Sequence, residues 1–165
     1  YGRADREHPV FMELKKKYRS IVYKRRLTLP YGRALDCLTG DCPWPETQIG
    51  REIGYAMDFY PDLEPRVFLS YERDSWYAPE SGLRITFDDA IRFRTADLTL
   101  DSDLWGTALL RPDQVLMELK APGAIPLWMV RLLTEMGLYK TSFSKYGTAY
   151  QILLEQEYKG GKRYA

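Results

Sequence analysis

Hydrophobic and polar residues alternate over two runs near the start of the chain, residues 10–18 and 20–29, and this period of two predicts strands. Glu13, Lys15 and Lys17 share one face of the first run, while Met12 and Leu14 take the other. On the second run Lys24 and Arg26 share a face, and Tyr23 and Arg25 the opposite one. With only Arg19 and Ser20 between them, the two runs predict a hairpin. Pro30 then ends the strand, and a short helix is expected over residues 31–38, stopping at Thr39-Gly40. A second helix should start near Pro45, with Ile49, Ile53, Ala56 and Met57 at helical spacing.

Alternation returns after Pro65. Residues 66–77 and 83–87 read as strands joined by the turn residues Ala78 to Gly82, so that Arg84, Thr86 and Asp88 share a face. Residues 91–94 continue the sheet, and a polar loop with Asp101, Asp103 and Gly106 leads to another strand at 115–120. That strand, VLMELK, nearly repeats the VFMELK of residues 10–15, and again puts Glu118 and Lys120 on one face and Met117 and Leu119 on the other. Ala121-Pro122-Gly123 breaks it. A helix from Pro126 to about Met136 follows, stopped by Gly137. Ser144 then caps a last helix, whose apolar positions are Tyr146, Ala149, Tyr150, Leu153 and Leu154.

Composition changes this picture little. The 165 residues suit one domain, 45% apolar and 28% charged, without an apolar run long enough to span a membrane or act as a signal segment. A soluble, cytoplasmic domain is expected. The chain opens on Tyr1 rather than Met, which suggests an excised or processed piece. Cys37 and Cys42 are too few for a disulfide framework or a zinc site and are expected to be reduced and incidental. His8 is the only histidine and lies beside Pro9, which argues against a histidine metal site or a Ser-His-Asp triad. A net charge of +1 is a poor footprint for nucleic-acid binding, so none is expected.

The candidate chemistry lies in charged residues collected by face. Lys15, Lys17, Lys24, Arg26, Arg73, Arg84, Lys120 and Lys145 supply cations; Glu13, Asp88 and Glu118 supply carboxylates. If these faces converge they form a basic cavity that needs a polyanion, and a phosphate chain suits the mixture of planar Arg forks and Lys point charges. If they point outward they are a solvated surface studded with ion pairs. Glu118 is the first choice as a ligand for Mg²⁺ or Mn²⁺ bridging phosphate oxygens; the alternative is that it merely balances Lys120. No GxxxxGK[ST] loop or GxGxxG occurs to cradle phosphate. Ser144-Lys145, at a helix start, could add backbone N–H groups, or could be a cap beside an exposed lysine.

Six segments, FMELK at 11–15, VYKRR at 22–26, YER at 71–73, LRITFD at 83–88, VLMELK at 115–120 and SFSKY at 142–146, occur in an order that resembles the vacuolar transporter chaperone (VTC) domain. That domain is the polyphosphate polymerase branch of the triphosphate tunnel metalloenzymes, the CYTH-like superfamily. The resemblance spans roughly residues 10–154. It implies an α+β fold in which antiparallel strands build a β tunnel or barrel flanked by several helices. It further implies a single domain over 1–165, lacking its first strands, with a flexible tail over about 157–165.

By this resemblance, Lys15, Lys24, Arg26, Arg73 and Arg84 match the family's tunnel-lining bases, Glu118 its metal-binding glutamate, and Ser144 and Lys145 its phosphate-contacting pair; Lys120 joins the phosphate-binding set from the residue reading. The implied activity is a metal-dependent phosphotransferase in which Lys145, Ser144, Arg84 and Arg73 act on the phosphates, Mn²⁺ or Mg²⁺ is the cofactor, and the γ-phosphate of ATP passes to a polyphosphate chain. The alternatives are a triphosphatase acting on inorganic triphosphate and a polyanion-binding module without turnover. The family carries earlier basic strands that this chain lacks, and often a basic residue where Ser142 stands, with Lys140 nearby. A tunnel opened in this way would expose strand edges, which admits an inactive piece or a homodimer. A membrane-protein partner is also compatible with the family.

Overall fold

The computed structural model describes residues 3–19 and 21–161. It is α+β, and its contacts group into two compact units: residues 1–65 with 99–103, and residues 66–98 with 104–165. The flexible tail expected over about 157–165 lies partly on the last helix, which runs through Gly161, and residues 162–165 lie outside the described residues.

In the first unit, β1 (Pro9–Tyr18) and β2 (Ile21–Pro30) pair antiparallel in one unbroken register, Pro9 opposite Pro30 through Tyr18 opposite Ile21. The turn is tight, with Arg19 at a positive φ of 46°, while Ser20 lies outside the described residues. The face rule holds across the pair: Glu13 stands opposite Arg26 and Lys15 opposite Lys24, while Met12 faces Leu27. A two-stranded ribbon is marginal alone. Here α1 (Tyr31–Thr39) and α2 (Gln48–Phe59) pack against it, and Arg25 of β2 donates to Glu52 of α2 at 3.0 Å. Gly40, at φ 85°, closes α1 by donating its N–H to the Asp36 carbonyl, a conformation glycine adopts without strain. The second helix begins later than expected because Thr47, not Pro45, supplies its cap: the Thr47 hydroxyl accepts from the Gly50 N–H.

The second unit is built on β4 (Leu83–Arg94), which pairs antiparallel with β3 (Phe68–Ala78) along one edge and with β6 (Leu116–Lys120) and the two-residue β5 (Thr107–Ala108) along the other. Residues 83–94 form one strand because a bulge carries it through: Ala90 and Ile91 stand where β3 has only Tyr71, and Ala90 takes φ 45°. The extra residue shifts the alternation, so that Asp88, Ile91 and Phe93 are all buried. Two helices complete the unit, α3 (Leu127–Glu135) and α4 (Lys145–Gly161), whose Met129 and Ala149 are buried.

The expected closed tunnel or barrel is not present among the described residues. Closure requires every strand to have two hydrogen-bonded neighbours, whereas β1 and β2 pair only with each other and β3, β5 and β6 each pair only with β4. What the strands form is a hairpin and an open four-stranded sheet. No helix among the described residues is long and apolar enough to cross a membrane.

Candidate functional site

Arg84, Thr86 and Asp88 emerge on one side of β4, and the register brings Arg73 and Ser75 of β3 and Glu118 and Lys120 of β6 to the same side. Asp88 sits at the centre and is fully buried. Arg73 grips it through two parallel bonds, Nε to Oδ1 at 2.5 Å and a terminal nitrogen to Oδ2 at 2.7 Å, and Lys145 Nζ lies 2.5 Å from Oδ2. Tyr71, two residues before Arg73 and therefore on the same face, places its ring 4.9 Å from the Arg73 guanidinium and 4.8 Å from Lys145 Nζ. The result is a pair of cations held side by side by one carboxylate and one aromatic ring.

Burial alone would push the Asp88 carboxyl up, but hydrogen bonds from Arg73 and Lys145, and then their charges, outweigh it and hold Asp88 below the ordinary carboxylate range. The Arg73 guanidinium is correspondingly raised, chiefly by its hydrogen bonds to Asp88. On this face and against it Asp88 and Glu118 are outnumbered by Arg73, Arg84, Lys120 and Lys145, which leaves the cluster positive. Glu118 stands one strand away, and its Oε1 accepts from Lys120 Nζ at 2.7 Å. That hydrogen bond holds the Glu118 carboxyl low, with the Lys145 and Arg73 charges reinforcing it against partial burial. Arg84 is exposed, opposite Lys120 in register, with its guanidinium 6.0 Å from the Tyr77 ring.

The sequence-derived set is thus divided. Arg73, Arg84, Glu118, Lys120 and Lys145 lie on one sheet face or against it. Ser144 is the N-cap of α4: its hydroxyl accepts from the Gly147 N–H at 3.1 Å. The residue beside it is not the exposed lysine of the simpler reading, since the Lys145 side chain is only 16% exposed. Lys15, Lys24 and Arg26 belong to the hairpin of the other unit, where all three converge on Glu13, at 3.6, 2.7 and 2.5 Å. The Lys17 side chain lies outside the described residues. Asp88 and Tyr71 acquire a role that sequence reasoning did not give them. The signal available for Tyr71 was its i−2 spacing from Arg73; for Asp88 it was the alternation that puts it on the same face as Arg84 and Thr86.

Elsewhere, Cys37 and Cys42 are free thiols with sulfurs 2.9 Å apart. Burial first, then the Cys42 thiol, pushes Cys37 up to about 11, the opposite of an activated nucleophile. Among the described residues no three His, Cys, Asp or Glu side chains gather into a metal cage.

The fold is therefore α+β, with an open antiparallel sheet that carries cations and carboxylates on one face. A family model for the VTC domain matches residues 1–154, nearly the whole of the 165-residue chain, and the protein belongs to that family. Membership points to a polyphosphate-related function. No curated protein and no solved structure matches this chain significantly.

Proposed function

We propose that this domain is the polyphosphate-synthesising unit of its family, a metal-dependent phosphotransferase that moves the γ-phosphoryl group of ATP onto a polyphosphate chain. The observation that carries this reading is the Arg73–Asp88–Lys145 cluster: two cations fixed beside each other by a buried carboxylate, in a protein of the VTC family. Phosphoryl transfer needs little covalent help. It needs alignment of the attacking and leaving oxygens and fixed positive charge on the equatorial oxygens, which side chains locked by ion pairs supply without reorganising. Arg73 and Lys145 take the phosphoryl group undergoing transfer, with Ser144 at the helix start beside it. Arg84 and Lys120, more exposed, bind the neighbouring phosphates. Lys15, Lys24 and Arg26 are further phosphate contacts, and the tunnel-type fold of the superfamily is part of the same reading.

The donor set fits a divalent cation of one kind only. Among the described residues no second or third carboxylate joins Glu118 in a metal cage, and Mg²⁺ or Mn²⁺ held by one carboxylate, waters and substrate phosphates is compatible with that donor set. Such an ion would draw charge from the phosphate oxygens as the bond to the leaving group breaks. The ion pair between Glu118 and Lys120 favours a second reading, polyanion binding without turnover, because it occupies the carboxylate assigned to the metal.

Incubation of the protein with ATP and Mn²⁺ separates these readings. Polyphosphate is the expected product, orthophosphate alone would indicate a triphosphatase, and neither product would end the enzymatic reading. Calorimetry with tripolyphosphate should show binding that weakens steeply with salt, as expected of a polyanion held by Lys and Arg. It should also fall roughly 10-fold or more in Lys145→Ala, the scale of one partly buried charge-assisted contact. Binding unchanged in that variant would remove Lys145 from the site.

A further inference from the structure

Thr86 is the odd member of this face. It is only 7% exposed, and its hydroxyl has no hydrogen-bond partner among the described residues. A buried hydroxyl left in this way is costly, so a sequence that keeps a threonine there, where valine has the same shape, implies a use for the oxygen. The register gives the direction. Thr86 stands directly across from Glu118 on β6, and side chains so opposed emerge on the same face with their Cβ atoms about 5 Å apart. Glu118 is meanwhile held by Lys120, whose side chain is 66% exposed. An ion pair that open to water is weak and readily exchanged for a better anion.

We infer that Thr86 is a positioning residue for Glu118, donating its hydroxyl to the Glu118 carboxylate once Lys120 leaves that carboxylate for a substrate phosphate oxygen. The exchange keeps every group paired: Lys120 trades one anion for another, Glu118 replaces a lysine donor with a hydroxyl donor, and Thr86 gains its missing bond. A donor fixed on one carboxylate oxygen also orients the remaining lone pairs, which is how a polar neighbour tunes a metal ligand. The inference rests on the reading of Glu118 as the metal-binding carboxylate.

The test needs no turnover. Protein-bound Mn²⁺ is measured by equilibrium dialysis against a buffer of fixed Mn²⁺ and tripolyphosphate, so that the Mn²⁺ chelated by tripolyphosphate in solution is the same on both sides and only the excess on the protein side counts, for wild type, Thr86→Val and Thr86→Ser, with thermal unfolding of each. The expected result is that Thr86→Val unfolds at the same or a higher temperature than wild type, because it removes an unpaired buried hydroxyl. Its Mn²⁺ affinity should fall about 10-fold, the lower end of what loss of such a second neighbour costs, and Thr86→Ser should restore it. A purely structural hydroxyl would move both quantities downward together, so a lowered unfolding temperature or a failure of Thr86→Val to fold overturns the inference. Wild-type affinity in Thr86→Val also overturns it, and leaves the metal role of Glu118 standing. If wild-type protein with tripolyphosphate takes up no Mn²⁺, the reading of Glu118 itself falls.

Discussion

Replacing Asp88 by alanine is expected to destabilise the protein by about 3 kcal/mol, the lower part of the range for breaking a buried ion pair, because Arg73 keeps 35% of its side chain in water. The cost arises less from the lost bonds than from what remains: two cations side by side, with Lys145 largely buried and no acceptor between them. Denaturant unfolding measures it. The same reasoning predicts that tripolyphosphate raises the unfolding temperature of Asp88→Ala more than that of wild type, since an anion that binds only the folded protein now replaces a missing counter-charge. A loss under about 1 kcal/mol, the size of an exposed pair, would show that the cluster is not held rigidly, and the argument for fixed cations would fail.

The pH dependence has a definite sign. The Asp88 carboxyl is held below its unfolded value despite burial, by Arg73 and Lys145, so the folded protein releases this proton more readily than the unfolded chain. Its contribution to stability is fully present above the unfolded carboxylate pKa of about 4 and is lost as pH falls through the lower folded value. Glu118 and Glu13 are shifted the same way and add to the slope. Wild-type stability should therefore decline on acidification below about pH 5, and Asp88→Ala should decline less.

Glu118→Gln should lower Mn²⁺-stimulated transfer from ATP by roughly 10²-fold or more, the scale on which one transition-state electrostatic group is felt. Metal-free binding of tripolyphosphate should move in the other direction. The substitution releases Lys120 and removes a negative charge from the face, and an exposed pair worth up to about 1 kcal/mol corresponds to as much as fivefold tighter binding. Single-turnover assays and metal-free calorimetry on the same preparation report the two effects separately. Turnover that survives the substitution would place the metal on another group. Weakened metal-free binding would mean that Glu118 organises the fold, not the metal.

The sequence by itself determined the longer strands, their faces and the helices, though not the two-residue β5 in what read as a polar loop, because the periods of two and 3.6 are local properties of backbone geometry and two residues are too few to show one. Alternation placed Arg84, Thr86 and Asp88 together and separated Glu118 and Lys120 from Met117 and Leu119, and the register agrees. The ordered set of short segments also carried family membership, since it spans most of the chain. What periodicity could not supply was the bulge at Ala90, which depends on pairing with β3 and keeps residues 83–94 in one strand. Nor could it give the partners of each charge. Arg73, Asp88 and Lys145 are far apart along the chain, and only tertiary packing shows that the aspartate is spent on holding two cations while Glu118 stays within reach of solvent. Ion-pair choice follows from distance and burial in three dimensions, and a list of residue types contains neither.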